Sequence, residues 1–326
     1  MSASTPNTAP DTWLHVAAGV VRDAEGRVLL SRRPAHAHQG GLWEFPGGKC
    51  EAGEDGRQAL GRELAEELGI AVTAAEPLIQ VRHRYPDRHV LLDVFEITGF
   101  EGTPTGRENQ PLVWVGTEEL PAWPLPAADR PVVTALRLPP CYAVLEGGKT
   151  ETGYRRWFEH LLATGQTLIY WRARDLDPDR YRRLLDRFQP LARQAGVTLM
   201  VRADAGLSPA PALGLHLDGT ALARCRRRPP GWRWVAGACH TLTELEQAHT
   251  LELDFAVLSP VLPTPTHPGT RPLGWETAGA WLRRVNLPVY LLGGLQRRHL
   301  PQAKACGAQG LAGIRAFLPE AEFDYT

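Results

Sequence analysis

The chain has 326 residues and 43% hydrophobic content, too long for one small domain and enough for two, each with its own core. Its 36 basic and 36 acidic residues cancel, so no bulk field recruits nucleic acid or an anionic membrane, and phosphate recognition has to be local. Five scattered cysteines without a CxxC pair argue against a disulfide framework or a zinc knuckle and predict reduced thiols.

Residues 1–12 are polar and Pro-containing and read as a disordered tail without the apolar stretch of a secretory signal. No apolar run approaches the ~20 residues of a membrane helix, so a cytoplasmic protein is expected. Leu14 to Val21 reads as a strand and Arg27 to Arg33 as its hairpin partner, with turn chemistry at Asp23 to Gly26. A Gly/Pro-rich loop, Gln39 to Lys49, leads into a helix from about Asp55 to Leu68. There Leu60, Leu64 and Leu68 form one apolar stripe, and Gly69 ends the helix. Strands follow at His89 to Phe100 and Leu112 to Val115, then a short helix at Pro131 to Leu136.

Around Leu138-Pro139-Pro140 the pattern changes. Eight short apolar runs then alternate with helical stretches: Tyr142–Leu145, Thr167–Trp171, Val197–Val201, Leu213–Leu217, Trp234–Ala238, Phe255–Val261, Val289–Leu292 and Leu311–Ile314. Helices are expected at Pro178 to Ala195 and Gln296 to Cys306, among others. Eight strands with helical connections predict a compact (β/α)8 barrel, with the domain boundary at 137–141.

The chemistry concentrates on the first helix. Glu63, Glu66 and Glu67 stand at i, i+3 and i+4 and share one face, about a quarter turn from the leucine stripe. Clustered carboxylates repel one another, and a divalent cation removes the conflict. Hard oxygen ligands suit Mg²⁺ or Mn²⁺ rather than zinc. Gly47 and Gly48 leave backbone exposed, so a carbonyl can join the coordination sphere. Arg62 can hold a glutamate through a bidentate pair. Alone, REXXEE is more often the pattern of a solvated acidic helix. Read with Gly48, Glu54 and Gly69, it satisfies all nine fixed positions of GX5EX7REUXEEXGU, the Nudix box.

The chain therefore resembles the Nudix hydrolases, and its MutT branch across roughly residues 13–136. The resemblance is carried by Ser31-Arg32-Arg33, Ala37-His38, Leu42 to Lys49, Tyr85-Pro86-Asp87-Arg88-His89, Glu101-Gly102, Gly106-Arg107-Glu108 and Leu125-Pro126-Ala127. It implies an α/β/α sandwich over 13–138. It also implies metal binding by the Gly47 carbonyl, Glu63, Glu66, Glu67 and Glu108, with Glu63, Arg62 and Glu66 catalytic. Water would attack the β-phosphorus of a nucleoside triphosphate, with 8-oxo-dGTP the expected substrate and nucleotide-pool cleaning the purpose. Arg33, His38, Glu44, Phe45, Pro46, Gly47, Asp87 and Arg88 would line the nucleotide, although Phe45 suits the core equally well. One departure is Asp129, where the branch carries a base-reading asparagine. It accepts when ionised and donates when burial protonates it, or it serves as a helix cap or partner of Arg130. Asp129→Asn is expected to keep turnover and change base preference.

Beyond 139, as far as about 320, the motifs resemble thiamine-phosphate synthase and the TenI tautomerases. They are Trp171-Arg172-Ala173-Arg174, Gly214-Leu215-His216-Leu217, Ala238-Cys239-His240-Thr241, Ser259 to Thr266, Gly293-Gly294 and Gly310 to Gly313. The resemblance implies a TIM-barrel-like domain with Arg172, His240, Gly293 and Gly294 as site candidates and a phosphate-bearing ligand. The synthase's Asn-Asp-Arg metal segment falls at Met200-Val201-Arg202-Ala203, and its later ligand aspartate is absent. Its lysine is His267 and its serine is Ala238. A ligand-binding barrel is thus expected ahead of an active synthase, with His240 an acid/base or a capping or core residue. The Arg224–Arg228 run reads as a solvated loop rather than a nucleic-acid interface. Two other readings stay open: hydrolysis of a thiamine-related diphosphate, and a nucleotide-sensing module without turnover.

Overall fold

A computed structural model of the chain describes residues 12–264, 269 and 271–317. All but the last residue of the expected tail lie outside the described residues, as do Pro265, Thr266, His267 and the end of the expected barrel at 318–320. The chain divides into two compact units, with the break between Arg137 and Leu138. Among the described residues no helix is long and apolar enough to cross a membrane.

The first unit comprises β1 (Trp13–Val20), β2 (Val28–Arg32), β3 (Trp43–Glu44), β4 (Gly47–Lys49), α1 (Gly56–Leu68), β5 (Ala71–Arg84), β6 (His89–Glu101), β7 (Leu112–Val115) and α2 (Arg130–Arg137). One sheet runs β4-β1-β6-β5 and a second runs β3-β2-β7. The hairpin expected between β1 and β2 is not a ladder. Asp23 Oδ1 does close the turn by accepting from the Glu25 and Arg27 amides. The strands then separate after the single Arg22–Val28 bridge, because β1 is paired to β4 on one edge and to β6 on the other. Strand β5 has no clear signal in the sequence pattern. Pro77 and an alanine-rich start disguise it, and its register slips at Val72–Ala75 and Pro77–Ile79 are tolerated because it is an edge strand.

Alternation along the strands builds two cores. Leu92, Val94 and Val81 face a cluster with Val132 and Val133 of α2, whereas Ala17, Phe95 and Ile97 face Leu60, Leu64 and Leu68 of α1. Helices thus cover both faces. Helix α1 starts at a capping box, in which Asp55 accepts from the Gln58 amide and Gln58 returns a bond to the Asp55 amide. It ends at Gly69, in the left-handed region at φ 70°.

The second unit is a closed barrel of parallel strands: β8 (Cys141–Leu145), β9 (Leu168–Trp171), β10 (Thr198–Arg202), β11 (Leu213–Leu217), β12 (Val235–Cys239), β13 (Phe255–Leu258), β14 (Val289–Leu291) and β15 (Gly310–Gly313), with β15 pairing back to β8. Among the described residues six helices connect them: α3 (Glu151–Ala163), α4 (Pro178–Gln194), α5 (Gly219–Arg224), α6 (Leu242–Thr250), α7 (Gly274–Leu282) and α8 (Leu300–Ala305). Tyr142, Tyr170, Met200, Phe255 and Tyr290 fill the interior, and their neighbours in sequence pack outward on the helices.

Candidate functional site

The glycine turn and α1 meet so closely that the chemistry is set by backbone. Gly47 sits at φ 147°, and a Cβ there would lie 2.2 Å from the Ala17 carbonyl oxygen. A Cβ on Gly48 would lie 2.2 Å from the Glu63 carboxyl carbon, so the Glu63 carboxylate rests directly on the glycine backbone. Arg62 locks that arrangement. Its Nε and Nη2 donate to the two oxygens of Glu54 at 2.8 Å, Nη1 donates to Glu63 Oε1 at 2.8 Å, and Nη2 reaches the Lys49 carbonyl at 2.9 Å. The bidentate partner is thus Glu54, whose acid is held down to about 2 chiefly by Arg62.

The three helix carboxylates do not converge; among the described residues no three His, Cys, Asp or Glu side chains form a ready metal cage. Like charges spread: Glu63 turns onto Gly48, Glu66 turns outward with its side chain 60% exposed, and Glu67 turns inward. The donor set nevertheless fits a hard divalent cation. Burial first, then the charges of Glu44, Glu108 and Glu63, push the Glu67 acid up to about 8, against a Gly47 hydrogen bond that lowers it. A cation among these oxygens relieves that repulsion.

Beside this face lies a cleft of about 270 Å³ bounded by Gly47, Gly48, Glu67, Arg33, Glu44 and Asp129. Arg33 pairs with Glu44 and donates from Nε to the His38 carbonyl at 2.7 Å. Burial raises the Glu44 acid to about 7 despite Arg33. Asp129 is fully enclosed in a tight turn, Ala127–Asp129, with no bond to Oδ2 and an acid raised well above its ordinary value by burial and then by Glu44. Among the described residues it makes no cap bond and no ion pair with Arg130. His38 and Arg88 also line the cleft, and Asp87 at its edge meets His38 Nδ1 at 3.3 Å and Arg88 at 3.0 Å. Phe45 takes the core alternative, and Pro46, expected along the nucleotide, does not line the cleft. Both are buried, and Phe45 packs in the core with Val20 and Leu30 instead of offering a stacking face.

The barrel holds a larger cavity, about 440 Å³, at the carboxyl ends of its strands. Its floor is aromatic: Tyr170 stacks on His216 with ring centroids 4.0 Å apart, and His216 Nδ1 meets the Tyr142 hydroxyl at 3.0 Å. Burial drives the His216 imidazolium down to about 3, so the ring is neutral. The rim is cationic, with Arg172, Arg174 and Arg271. His240 Nδ1 donates to the Ser259 carbonyl at 2.9 Å, which leaves Nε2 as the ring's acceptor; it is neither core nor cap, the cap being Thr241. Gly293 lines the cavity and Gly294 does not.

A metal-diphosphate does not fit here. Met200 and Val201 are buried core, and Arg202 lies over the Tyr181 ring at 4.5 Å and forms an ion pair with Asp204. The nearby carboxylates Glu146 and Asp218 face Arg172 and Arg174. Sequence reasoning missed Tyr85, Tyr142, Tyr170, His216 and Arg271 as site residues. Two carried a signal, since Tyr85 and His216 lie inside the matched segments; the others are legible only once the barrel closes.

Both units resemble known proteins. Residues 17–135 match the family described as NUDIX domain, and residues 141–317, more than half of the chain, match that described as Thiamine monophosphate synthase. The CTP pyrophosphohydrolase of Escherichia coli (strain K12) is 45% identical over 120 residues, 37% of this chain and 87% of that protein. The 8-oxo-dGTP diphosphatase of the same organism is 38% identical over 124 residues, 38% of this chain and 96% of that protein. A solved thiamine phosphate pyrophosphorylase from Pyrococcus furiosus is 20% identical at TM-score 0.44, covering 54% of this chain and 85% of that one. The chain thus belongs to two families at once, its first unit a MutT-type Nudix hydrolase and its second a member of the thiamine monophosphate synthase family.

Proposed function

We propose that the Nudix domain hydrolyses nucleoside triphosphates to the monophosphate and pyrophosphate, with the oxidised guanine of 8-oxo-dGTP preferred, and so cleans the cytoplasmic nucleotide pool. The observation that carries the base preference is the enclosed Asp129 carboxyl with its unpartnered oxygen at the cleft. A protonated carboxyl donates from one oxygen and accepts at the other. Oxidised guanine presents the complement, an O6 acceptor beside an N7–H donor, whereas ordinary guanine has two acceptors there.

Glu63, Glu66, Glu67, Glu108 and the Gly47 carbonyl are the residues to hold Mg²⁺ or Mn²⁺, which when bound neutralises the triphosphate and activates water. Arg62 keeps Glu63 seated on Gly48. A Glu63 oxygen takes the proton of the water whose oxygen bonds the β-phosphorus, while the bond from that phosphorus to the bridging oxygen breaks and the monophosphate leaves. Arg33 and Arg88 at the cleft supply cationic contacts to the nucleotide. In the barrel, the cationic rim and aromatic floor suit a phosphate-bearing ligand taken without metal.

Pyrophosphate release over a nucleotide panel tests the reading. Wild type should turn over 8-oxo-dGTP with the highest kcat/KM, and Glu63→Gln should lower kcat by about 100-fold or more with little change in KM. Protein that leaves every nucleotide intact with Mg²⁺ and with Mn²⁺ refutes it. Cytidine triphosphate is the second reading. The 45% identical relative favours it, and so does cytosine's own donor-acceptor edge; a higher kcat/KM for CTP would decide for it.

A further inference from the structure

The loop after β6 is fastened to the last turn of α1 by an unusual number of bonds. The Thr105 amide donates to the Leu68 carbonyl at 3.0 Å, the Arg107 amide donates to the Glu67 carbonyl at 2.9 Å, and Arg107 Nη1 donates to the Ala65 carbonyl at 3.2 Å. The helix has reason to need this. Its last turn carries Glu66 and Glu67 and no basic residue, an unfavourable charge at the negative end of the helix dipole. The Arg107 guanidinium supplies the missing positive charge from outside.

One further side chain does something different. The Glu108 amide donates to Gln110 Oε1 at 2.9 Å, and Gln110 Nε2 donates to the Glu67 carbonyl at 3.0 Å. The orientation of the amide is dictated, since flipping it sets donor against donor and acceptor against acceptor. The loop between is tight: Asn109 is left-handed at φ 61°, and a Cβ on Gly106 would lie 2.3 Å from the Gln110 carbonyl oxygen. A single primary amide therefore spans the backbones of Glu67 and Glu108, two residues far apart in sequence.

We propose that Gln110 is a positioning residue that fixes the distance between Glu67 and Glu108 and thereby sets the affinity of the site for its divalent cation. This rests on the reading that those two carboxylates hold the metal. An apolar replacement of the same length, Gln110→Met, keeps the volume and removes both bonds, freeing Glu108 to drift while leaving Glu63, Arg62 and the cleft untouched.

The test uses the full chain and Mn²⁺ alone, with free ion counted by electron paramagnetic resonance and no nucleotide present. Gln110→Met and Gln110→Ala should each weaken Mn²⁺ binding about tenfold, the usual scale for partners of metal ligands. The Mg²⁺ concentration for half-maximal turnover should rise in parallel, and kcat should recover to within about threefold of wild type at saturating metal. Arg107→Met serves as control for a loosened loop, lowering Tm while leaving Mn²⁺ affinity unchanged. Wild-type Mn²⁺ affinity in Gln110→Met overturns the proposal, and so does an equal loss in Arg107→Met. Glu67→Gln and Glu108→Gln separate the two levels. If neither weakens Mn²⁺ binding, the metal reading itself fails; if both do while Gln110→Met does not, only the strut fails.

Discussion

Asp129 illustrates how burial changes what a side chain says. An aspartate in place of an amide reads in sequence as a loss of donor capacity. Enclosed and with Oδ2 unpaired, its carboxyl is pushed by burial toward the protonated form, which has that capacity. Contrary to the expectation from sequence, Asp129→Asn should therefore keep turnover and leave the preference for 8-oxo-dGTP over dGTP nearly unchanged at neutral pH. Asp129→Leu should cut the ratio of kcat/KM values by about 10- to 100-fold, the scale of one two-point base contact. A carboxyl with a raised native pKa stabilises the fold while protonated, and that stability is lost as pH rises through the native value. The asparagine variant should accordingly hold its base preference and Tm better than wild type under alkaline conditions. A preference that vanishes in Asp129→Asn at pH 7, or survives in Asp129→Leu, removes Asp129 from base reading. At this scale helical spacing made the shared face of Glu63, Glu66 and Glu67 legible, but not their divergence, since Glu63 turns onto Gly48, Glu66 outward and Glu67 inward. Gln110 was not, because it acts across a loop through backbone atoms, and Phe45 was ambiguous because a loop does not declare which way an aromatic ring turns.

Among elements, the barrel strands were legible nearly to the residue, since strands buried on both faces read as continuous apolar runs. The Nudix strands were harder. β5 is an edge strand with proline at a bulge, and β1 and β2 satisfied a hairpin pattern while pairing elsewhere. The interior of the barrel carries its own pH signature. His216 on β11 lies between Tyr142 and Tyr170, and burial depresses its native pKa to about 3 from an ordinary 6.5. Unfolded chain therefore takes a proton between pH 6.5 and about 3 that the native ring refuses, so stability is full above 6.5 and declines as pH falls. His216→Gln, which retains a hydrogen-bonding group toward Tyr142, should reduce the slope of barrel stability against pH by up to one proton in that window. Parallel denaturation curves for wild type and variant between pH 6.5 and 4 would show that His216 is protonated in the native barrel.

Across the whole molecule, the two units keep different parts of their families' chemistry. The first has the complete acidic helix, with Arg62 and Glu54 bracing it. The second has the barrel, the cavity and His240, yet carries apolar Met200 and Val201 where the synthase's metal segment has an amide and a carboxylate. Metal dependence should therefore divide along the chain. Addition of EDTA should abolish nucleotide hydrolysis and leave binding at the barrel unchanged. Thiamine monophosphate is the probe suggested by the family, since its ring suits the Tyr170–His216 floor and its phosphate the Arg172 and Arg174 rim. Isothermal titration of the full chain should give the same Kd with EDTA as with Mg²⁺, and the same again in Glu63→Gln. Arg172→Ala should weaken it about tenfold or more by removing a charged contact while also freeing Glu146, which faces it. Mg²⁺-dependent formation of thiamine monophosphate by the chain, or binding that requires the metal, would mean that Glu146 and Asp218 leave their arginines to act as ligands. In that event the arginine-lined cavity is a closed form of a synthase site.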